Sequence, residues 1–427
     1  MGDVRMINRW NDDEAHAWLR EAGEEEAERD LALRIYTSRL IGGETDLVLH
    51  GGGNTSVKTR RRTAGGDLLP VLHVKGSGWD LGSIEAPGLP ALELAPLCEA
   101  RSGAALTDPQ MVALLRANLL DPASPNPSIE TLLHAFLPAK YVDHSHAAAV
   151  LALVNQPDAA AIGRRLYGRR LAIVPYVMPG YDLSIEAARI FDAHPDCEGL
   201  WLVNHGLFTF GETARQSYER MIEFVNIAEV HLAEHGVRLV PPLAPRGDTA
   251  ESRAFRDRLS ARIQAAGSVF ASGVSLDFRA DAAIDTLLQQ PDLAEITGRG
   301  TITPDHVIRV KPFPLVLEGS ESAEELDAAL ADFARRYERY FEVHAAQASE
   351  PKTMLDPLPR VILVRGMGLF GVGGSAAEAG IVADLASQTA RVIQAAEAYG
   401  RFTPLPTPDL FDMEYWSLEQ AKLQGKG

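Results

Sequence analysis

Cysteine is nearly absent from this chain. Cys98 and Cys197 are the only two in 427 residues, and neither sits in a CxxC motif. Two thiols cannot make a disulfide framework, so a reducing compartment is expected and the protein is read as cytoplasmic. Long apolar runs are missing as well. No stretch reaches the roughly 18 residues that a membrane-spanning helix needs. The opening MGDVRMINRWNDDEAHAW has no apolar core of signal-peptide length. Its Met-Gly start lacks the sixth-position Ser or Thr of a myristoylation signal, because Met6 stands there. Positive charge is the minority sign: 41 Lys and Arg against 58 Asp and Glu leave a net charge of −17. That excludes a broad basic face for nucleic acid but leaves room for a local phosphate pocket.

What is present is the composition of a soluble globular protein, 46% apolar and 23% charged. The length allows two or three domains. Residues 11 to 41 predict one helix, rich in Ala, Leu, Glu and Arg and stopped by Gly42-Gly43. DLVLHGGGNTSVKT and LPVLHVKGSGWDL predict strands and turns. LTDPQMVALLRANLL predicts a helix capped by Thr107 or Asp108, and PSIETLLHAFL a second one entered through Pro127 and Ser128. KYVDHSHAAAVLAL begins as a strand, and LAIVPYVMP and GLWLVNHGLFTFG read as further strands. A long amphipathic helix then runs to Gly236. The proline-rich VPPLAPRGD closes a first domain at about residue 240. A second unit covers 241–400, and 401–427 is a tail.

The second unit reads as a degenerate copy of the back half of the first. VNHGLFTFG resembles RGMGLFGVG, which sets Met367 opposite His205. The same offset sets DHVI opposite DHSH, so that His306 matches His144 and Ile308 matches His146. On this reading the second unit keeps one of three histidines and serves as structure or interface. GVGGSAAEAG has the look of a dinucleotide-binding turn, but no second strand ending in an acid follows it, and the repeat accounts for it better.

The chemistry concentrates on histidines. Residues i and i+2 of a strand share a face, so His144 and His146 present both imidazoles to one point. His205 follows another apolar run. If the strands lie close, three imidazoles meet, the arrangement that leaves a tetrahedral Zn²⁺ one open position. Other divalent transition metals also accept imidazole. Glu130 falls in the first turn of the helix predicted before the HxH strand. It either complements that helix's dipole or acts as a general base beside a metal. His134, one turn on, reads first as a packed or solvated helix histidine and only second as a group behind the site. Two glycine-rich turns, one with Gly53, Asn54 and Ser56 and one with Lys75, Gly76, Ser77 and Gly78, suit an anion such as phosphate.

GGGNTS, KGSG, PSIETLLH, DHSHAAAV and NHGLFTFG, in that order, resemble the class II aldolase/adducin family. Within it the likeness is closest to the aldolase portion of bifunctional rhamnulose-1-phosphate aldolase/lactaldehyde dehydrogenase proteins. Those proteins continue into a dehydrogenase domain, and no oxidoreductase activity is expected from this chain. The resemblance implies a three-layer α/β/α fold with a mainly antiparallel central sheet. It implies His144, His146 and His205 as zinc ligands and Glu130 as the catalytic glutamate. Asn54 and Ser77, with the glycines around them, match positions that hold a ketose phosphate. Simple family aldolases carry a hydroxyl residue just before the glutamate; here Ile129 stands there and Ser128 is left to serve the phosphate. The expected reaction is cleavage of a ketose 1-phosphate by a homo-oligomer. Two rivals are a sugar-phosphate 4-epimerase, which usually has aspartate where Glu130 stands, and a non-catalytic adducin-like module, which loses the histidines.

Overall fold

The computed structural model describes residues 6–63, 65–242, 246–270 and 273–417. The chain forms two compact units, residues 1–154 with 158–236, and residues 155–157 with 237–427.

The first unit is built on a seven-stranded sheet. Its strands are β1 (Asn54–Arg62), β2 (Leu68–Val74), β3 (Ala91–Glu93), β4 (Tyr141–Ser145), β5 (Leu171–Val174), β6 (Gly199–Leu202) and β7 (Gly206–Gly211). The order is β3-β2-β1-β4-β7-β6-β5, antiparallel throughout except between β5 and β6. β4 is central, bonded to β1 on one side and β7 on the other. One face of the sheet carries the helices Thr131–Phe136 and Tyr181–Ala193. Val142, Leu200, Leu202, Phe208 and Phe210 pack there against Leu133, Leu183 and Ala187. Burying each of these larger apolar side chains contributes about 1.5–3 kcal/mol.

The other face carries the helices Glu26–Gly42 and Ala214–Glu234. Strand alternation turns Asp143 that way, opposite to its neighbour His144. Asp143 forms a fully buried ion pair with Arg34 at 2.6 Å and accepts the Ser217 hydroxyl at 2.6 Å. Arg34 spends its other donors on Thr37, Ser38 and the Ser56 carbonyl. Such a pair adds little net stability, but stranding one member costs about 3–5 kcal/mol. It therefore ties both helices to the strand that carries the histidines.

Several expected elements differ. The helix expected over 11–41 is two, Asp12–Glu21 and Glu26–Gly42. Glu25 opens the second with a capping box to Glu28, and a Cβ on Gly23 would lie 1.8 Å from the Glu28 carboxylate. DLVLHGGG is turn, and the strand starts at Asn54. The helix expected from Pro127 starts only at Thr131, because the preceding residues pair with the glycine turn: Gly76 bridges Pro127, and Ser128 N–H donates to Lys75 O at 3.0 Å. Glu130 thus sits at the N-cap and not in the first turn.

The second unit has a four-stranded sheet, β8 (Ser275–Arg279), β9 (Leu315–Leu317), β10 (Val361–Val364) and β11 (Gly368–Gly373), in the order β8-β11-β10-β9. β9 and β10 are parallel and the rest antiparallel, which reproduces β4-β7-β6-β5 of the first unit. The long helices Ala214–Glu234 and Ala376–Tyr399 follow the last strand of each set, capped by Thr213 and Ser375. The hairpin part of the expected repeat is therefore present, but the match of DHVI to DHSH is not. His306 caps the short helix Val307–Val310 and lies on no strand. The strand in the place of β4 is β8. His144 opposes Phe208 as Phe278 opposes Phe370. Phe278, Ala280 and Met367 thus stand where His144, His146 and His205 stand. The match failed because the segment between repeat strands changed length, which a gap-free offset misses.

The tail expected from residue 401 is not separate up to Ser417. Helix Thr407–Glu414 inserts Phe411, followed by Tyr415, into the second unit's core beside Phe333, Tyr337 and Tyr340. The end of the resembling stretch DLFDMEYWSLEQAKL lies outside the described residues.

Candidate metal centre

Three elements bring the histidines together. His144 is the last residue but one of β4, its ring stacked on Phe208 of β7 at 4.1 Å. His146 lies just past the strand, held by its N–H to Leu47 O at 3.0 Å. His205 occupies the turn between β6 and β7. That turn is tight: Asn204 takes φ 55, a region that asparagine tolerates better than most residues. Gly206 follows, and a Cβ there would lie 2.5 Å from Ser145 O and 3.1 and 3.3 Å from the rings of His146 and His144. Gly53 does the same from the other side. Its φ is +62, and a Cβ would lie 2.6 Å from His144 O. Gly206 thus lets backbone approach the imidazoles, and Gly53 lets it approach the His144 carbonyl.

The candidate ligand atoms of the three buried histidines lie within 4.8 Å of one another, and His144 Nε2 is 3.1 Å from His146 Nε2. His144 Nδ1 donates to Leu207 O at 3.1 Å, which leaves its Nε2 lone pair facing the cluster. Three nitrogens bound tetrahedrally to zinc at about 2.0–2.1 Å lie roughly 3.4 Å apart. The His144–His146 pair is near that spacing and all three candidate atoms fall within 4.8 Å, so the residues present fit a divalent transition metal. Glu130 straddles it: Oε2 is 3.6 Å from His144 Nε2, and Oε1 is 3.6 Å from His205 Nε2. The carboxylate is buried at 5% exposure.

The residues read as phosphate contacts divide. Asn54 Nδ2 donates to Glu130 Oε2 at 2.7 Å and to Ser128 Oγ at 3.2 Å. Ser56 is fully buried with its hydroxyl on His134 Nδ1 at 2.7 Å. Lys75 is buried and donates to Gly51 O at 2.6 Å, tying the two glycine turns together. The N–H groups of Gly76 and Ser77 go to Gly88 O and Asn126 O. These placements share one cause. Both turns pack into the protein, where their polar groups find protein partners. The Ser77 side chain and Gly78 remain exposed, and Ser128 is half-buried beside Glu130. The Gly76–Pro127 bridge sets Ser77 next to the Ser128 segment.

His134, read first as a packed helix residue, is fully buried and bonded at both ring nitrogens, to Ser56 and to Asn54 Oδ1. Burial, and then the Lys58 charge, hold it well below the ordinary 6.5, so it is neutral. Lys58 went unnoticed in the sequence. Its amine donates to His134 O at 2.6 Å and Ala139 O at 2.9 Å, and burial pushes it down to about 7. The signal for both residues was alternation: Asn54, Ser56 and Lys58 share one face of β1.

Among the described residues no helix is long and apolar enough to cross a membrane. Two family models match the chain: the class II aldolase and adducin N-terminal domain over residues 33–232, and the second domain of class II aldolase over residues 251–423. The uncharacterized oxidoreductase YuxG of Bacillus subtilis (strain 168) is 30% identical over 412 residues, 91% of this chain and 57% of that protein. The chain thus spans little more than half the length of this curated relative. The N-terminal class II aldolase domain of a conserved protein from Thermoplasma acidophilum is 38% identical, covering 53% of this chain and 99% of that one, with a TM-score of 0.47. An L-fuculose-1-phosphate aldolase from Thermus thermophilus is 16% identical, covering 48% of this chain and 94% of that one, with a TM-score of 0.32. Both matched stretches fall on class II aldolase models, one on each side of the proline-rich segment, and the chain belongs to the class II aldolase family.

Proposed function

We propose that this chain is a metal-dependent aldolase that cleaves a ketose 1-phosphate, of the rhamnulose 1-phosphate kind, into dihydroxyacetone phosphate and an aldehyde. The observation that carries the reading is a buried carboxylate, Glu130, within 3.6 Å of two of three convergent imidazoles. His144, His146 and His205 would hold the cation, with zinc the first choice. When bound, a divalent cation supplies Lewis-acid polarisation of the ketose carbonyl and hydroxyl oxygens.

The rest falls to the chain's own groups. Breaking the C3–C4 bond turns the C4 hydroxyl into the aldehyde carbonyl, its proton passing to a base, and Glu130 takes up one proton from solvent before it acts. The bonding electron pair passes to C3 and is delocalised toward the C2 carbonyl. Glu130 delivers the proton that C3 needs and removes it in the reverse direction. Its burial keeps bulk water from competing for that proton. Ser77, Gly78 and Ser128 form the polar lip at which the phosphate would bind. The working protein is taken to be a cytoplasmic homo-oligomer; light scattering at the mass of one chain would remove that part.

Glu130→Gln keeps an acceptor for the Asn54 amide and removes the proton carrier. Turnover should fall by at least about 100-fold while bound metal is unchanged. The assay is aldehyde release from a panel of ketose 1-phosphates, with metal analysis of the same sample. Equal turnover in the variant would take Glu130 out of the mechanism.

A further inference from the structure

Two periodicities meet beside the metal centre. Alternate residues of β1 advance by roughly 6.6–6.8 Å, and residues four apart on a helix by roughly 6 Å. Asn54 and Ser56 therefore face Glu130 and His134 in register. The contacts follow that register: Ser56 Oγ to His134 Nδ1 at 2.7 Å, His134 Nε2 to Asn54 Oδ1, and Asn54 Nδ2 to Glu130 Oε2 at 2.7 Å.

We propose that Ser56, His134 and Asn54 form a one-way hydrogen-bond relay that aims the Glu130 carboxylate at the reacting carbon. Asn54 and His134 are then positioning residues, not phosphate contacts. The direction follows from donor chemistry. The Asn54 amide turns its Nδ2, which can only donate, toward Glu130 Oε2. Its Oδ1 then faces His134 and needs a donor, so the imidazole carries its proton on Nε2. A neutral imidazole has one proton, so Nδ1 accepts and the Ser56 hydroxyl donates. Asn54 gives its second amide hydrogen to Ser128 Oγ, which also accepts the Glu130 backbone N–H at 3.3 Å. Lys58 holds the His134 carbonyl, so the helix that carries the ring is fixed to the same strand. All members are buried or half-buried. An amide flip would set Oδ1 against the carboxylate, so the relay also holds the Asn54 orientation.

This inference rests on reading Glu130 as the group that moves the C3 proton. Its test has one arm that needs no activity. In the metal-free ¹⁵N-labelled full chain, the His134 ring should show the Nε2–H tautomer, neutral from roughly pH 6 to 8. The Nδ1–H tautomer would overturn the relay whatever the protein catalyses. The second arm is kinetic. His134→Phe keeps a flat ring and removes both hydrogen bonds. With substrate affinity nearly unchanged, it should lower kcat about 10- to 100-fold, with a matching loss of C3 proton exchange in dihydroxyacetone phosphate. His134→Gln, which retains a donor and an acceptor, should recover most of that loss. A His134→Phe protein as active as the parent sinks the proposal. If that variant does not fold, Ser56→Ala replaces it, with an expected loss of roughly tenfold and a mixed tautomer signal; a parental rate with the tautomer unchanged would count equally against the relay. If the parent neither cleaves nor exchanges any ketose phosphate, the aldolase reading fails, and the tautomer alone decides the relay.

Discussion

At the scale of single residues, burial decides what a polar group can do. Asn54, Ser56 and Lys75 have the chemistry of anion contacts, but the fold has committed each to a protein partner. Glu229 shows the same control over charge. It accepts the Met6 N–H at 3.1 Å, and burial pushes its pKa from the ordinary 4.5 up to about 7. A raised folded-state pKa means that the folded chain binds the proton more tightly than the unfolded one. The contribution to stability is complete below about pH 4.5 and is lost as the pH rises through about 7. Glu229→Gln keeps an acceptor and has no charge to bury. It should melt close to the parent near pH 4.5 and above it at pH 8, by calorimetry across that range. A variant that melts lower at pH 8 would show that the native carboxylate is stabilising there.

At the scale of elements, the centre depends on how closely a hairpin approaches a strand. The turn that carries His205 succeeds because Gly206 lets it lie against Ser145, His146 and His144. Gly206→Ala puts a methyl group 2.5 Å from a backbone oxygen, where nothing can swing aside. The turn must shift, which should weaken metal binding about 10- to 100-fold and cost about 1–3 kcal/mol of stability. A metal titration with a thermal melt of the same sample measures both, and parental affinity would mean that the turn yields elsewhere. Much of this level was legible. Period-2 alternation placed His144 and His146 together, and the apolar runs marked β2, β5, β6 and β7. Element ends were not. The 11–41 helix breaks at a Glu25–Glu28 capping box that an unbroken Ala, Leu, Glu and Arg pattern conceals. Helix Thr131–Phe136 starts late because residues 127 and 128 pair with a turn some fifty residues away in sequence.

At the scale of the whole molecule, one sheet pattern occurs twice with different contents. The second unit keeps the strand order and the long closing helix, but Phe278, Ala280 and Met367 stand at the ligand places. Metal analysis should therefore find one tightly held ion per chain. Chelation should abolish lyase activity, and His205→Ala should reduce bound metal to near zero. A second equivalent that survives in that variant would locate a metal outside the three-histidine cluster. By itself the sequence determined the three histidines that could hold a metal, the candidate carboxylate and the kinship, because those reside in residue identity and short spacing. Only the tertiary structure decided which polar groups bond within the protein and which strand of the second unit answers to β4. Both depend on pairings between segments far apart in the chain, and local periodicity carries no record of which distant partner satisfies a given donor.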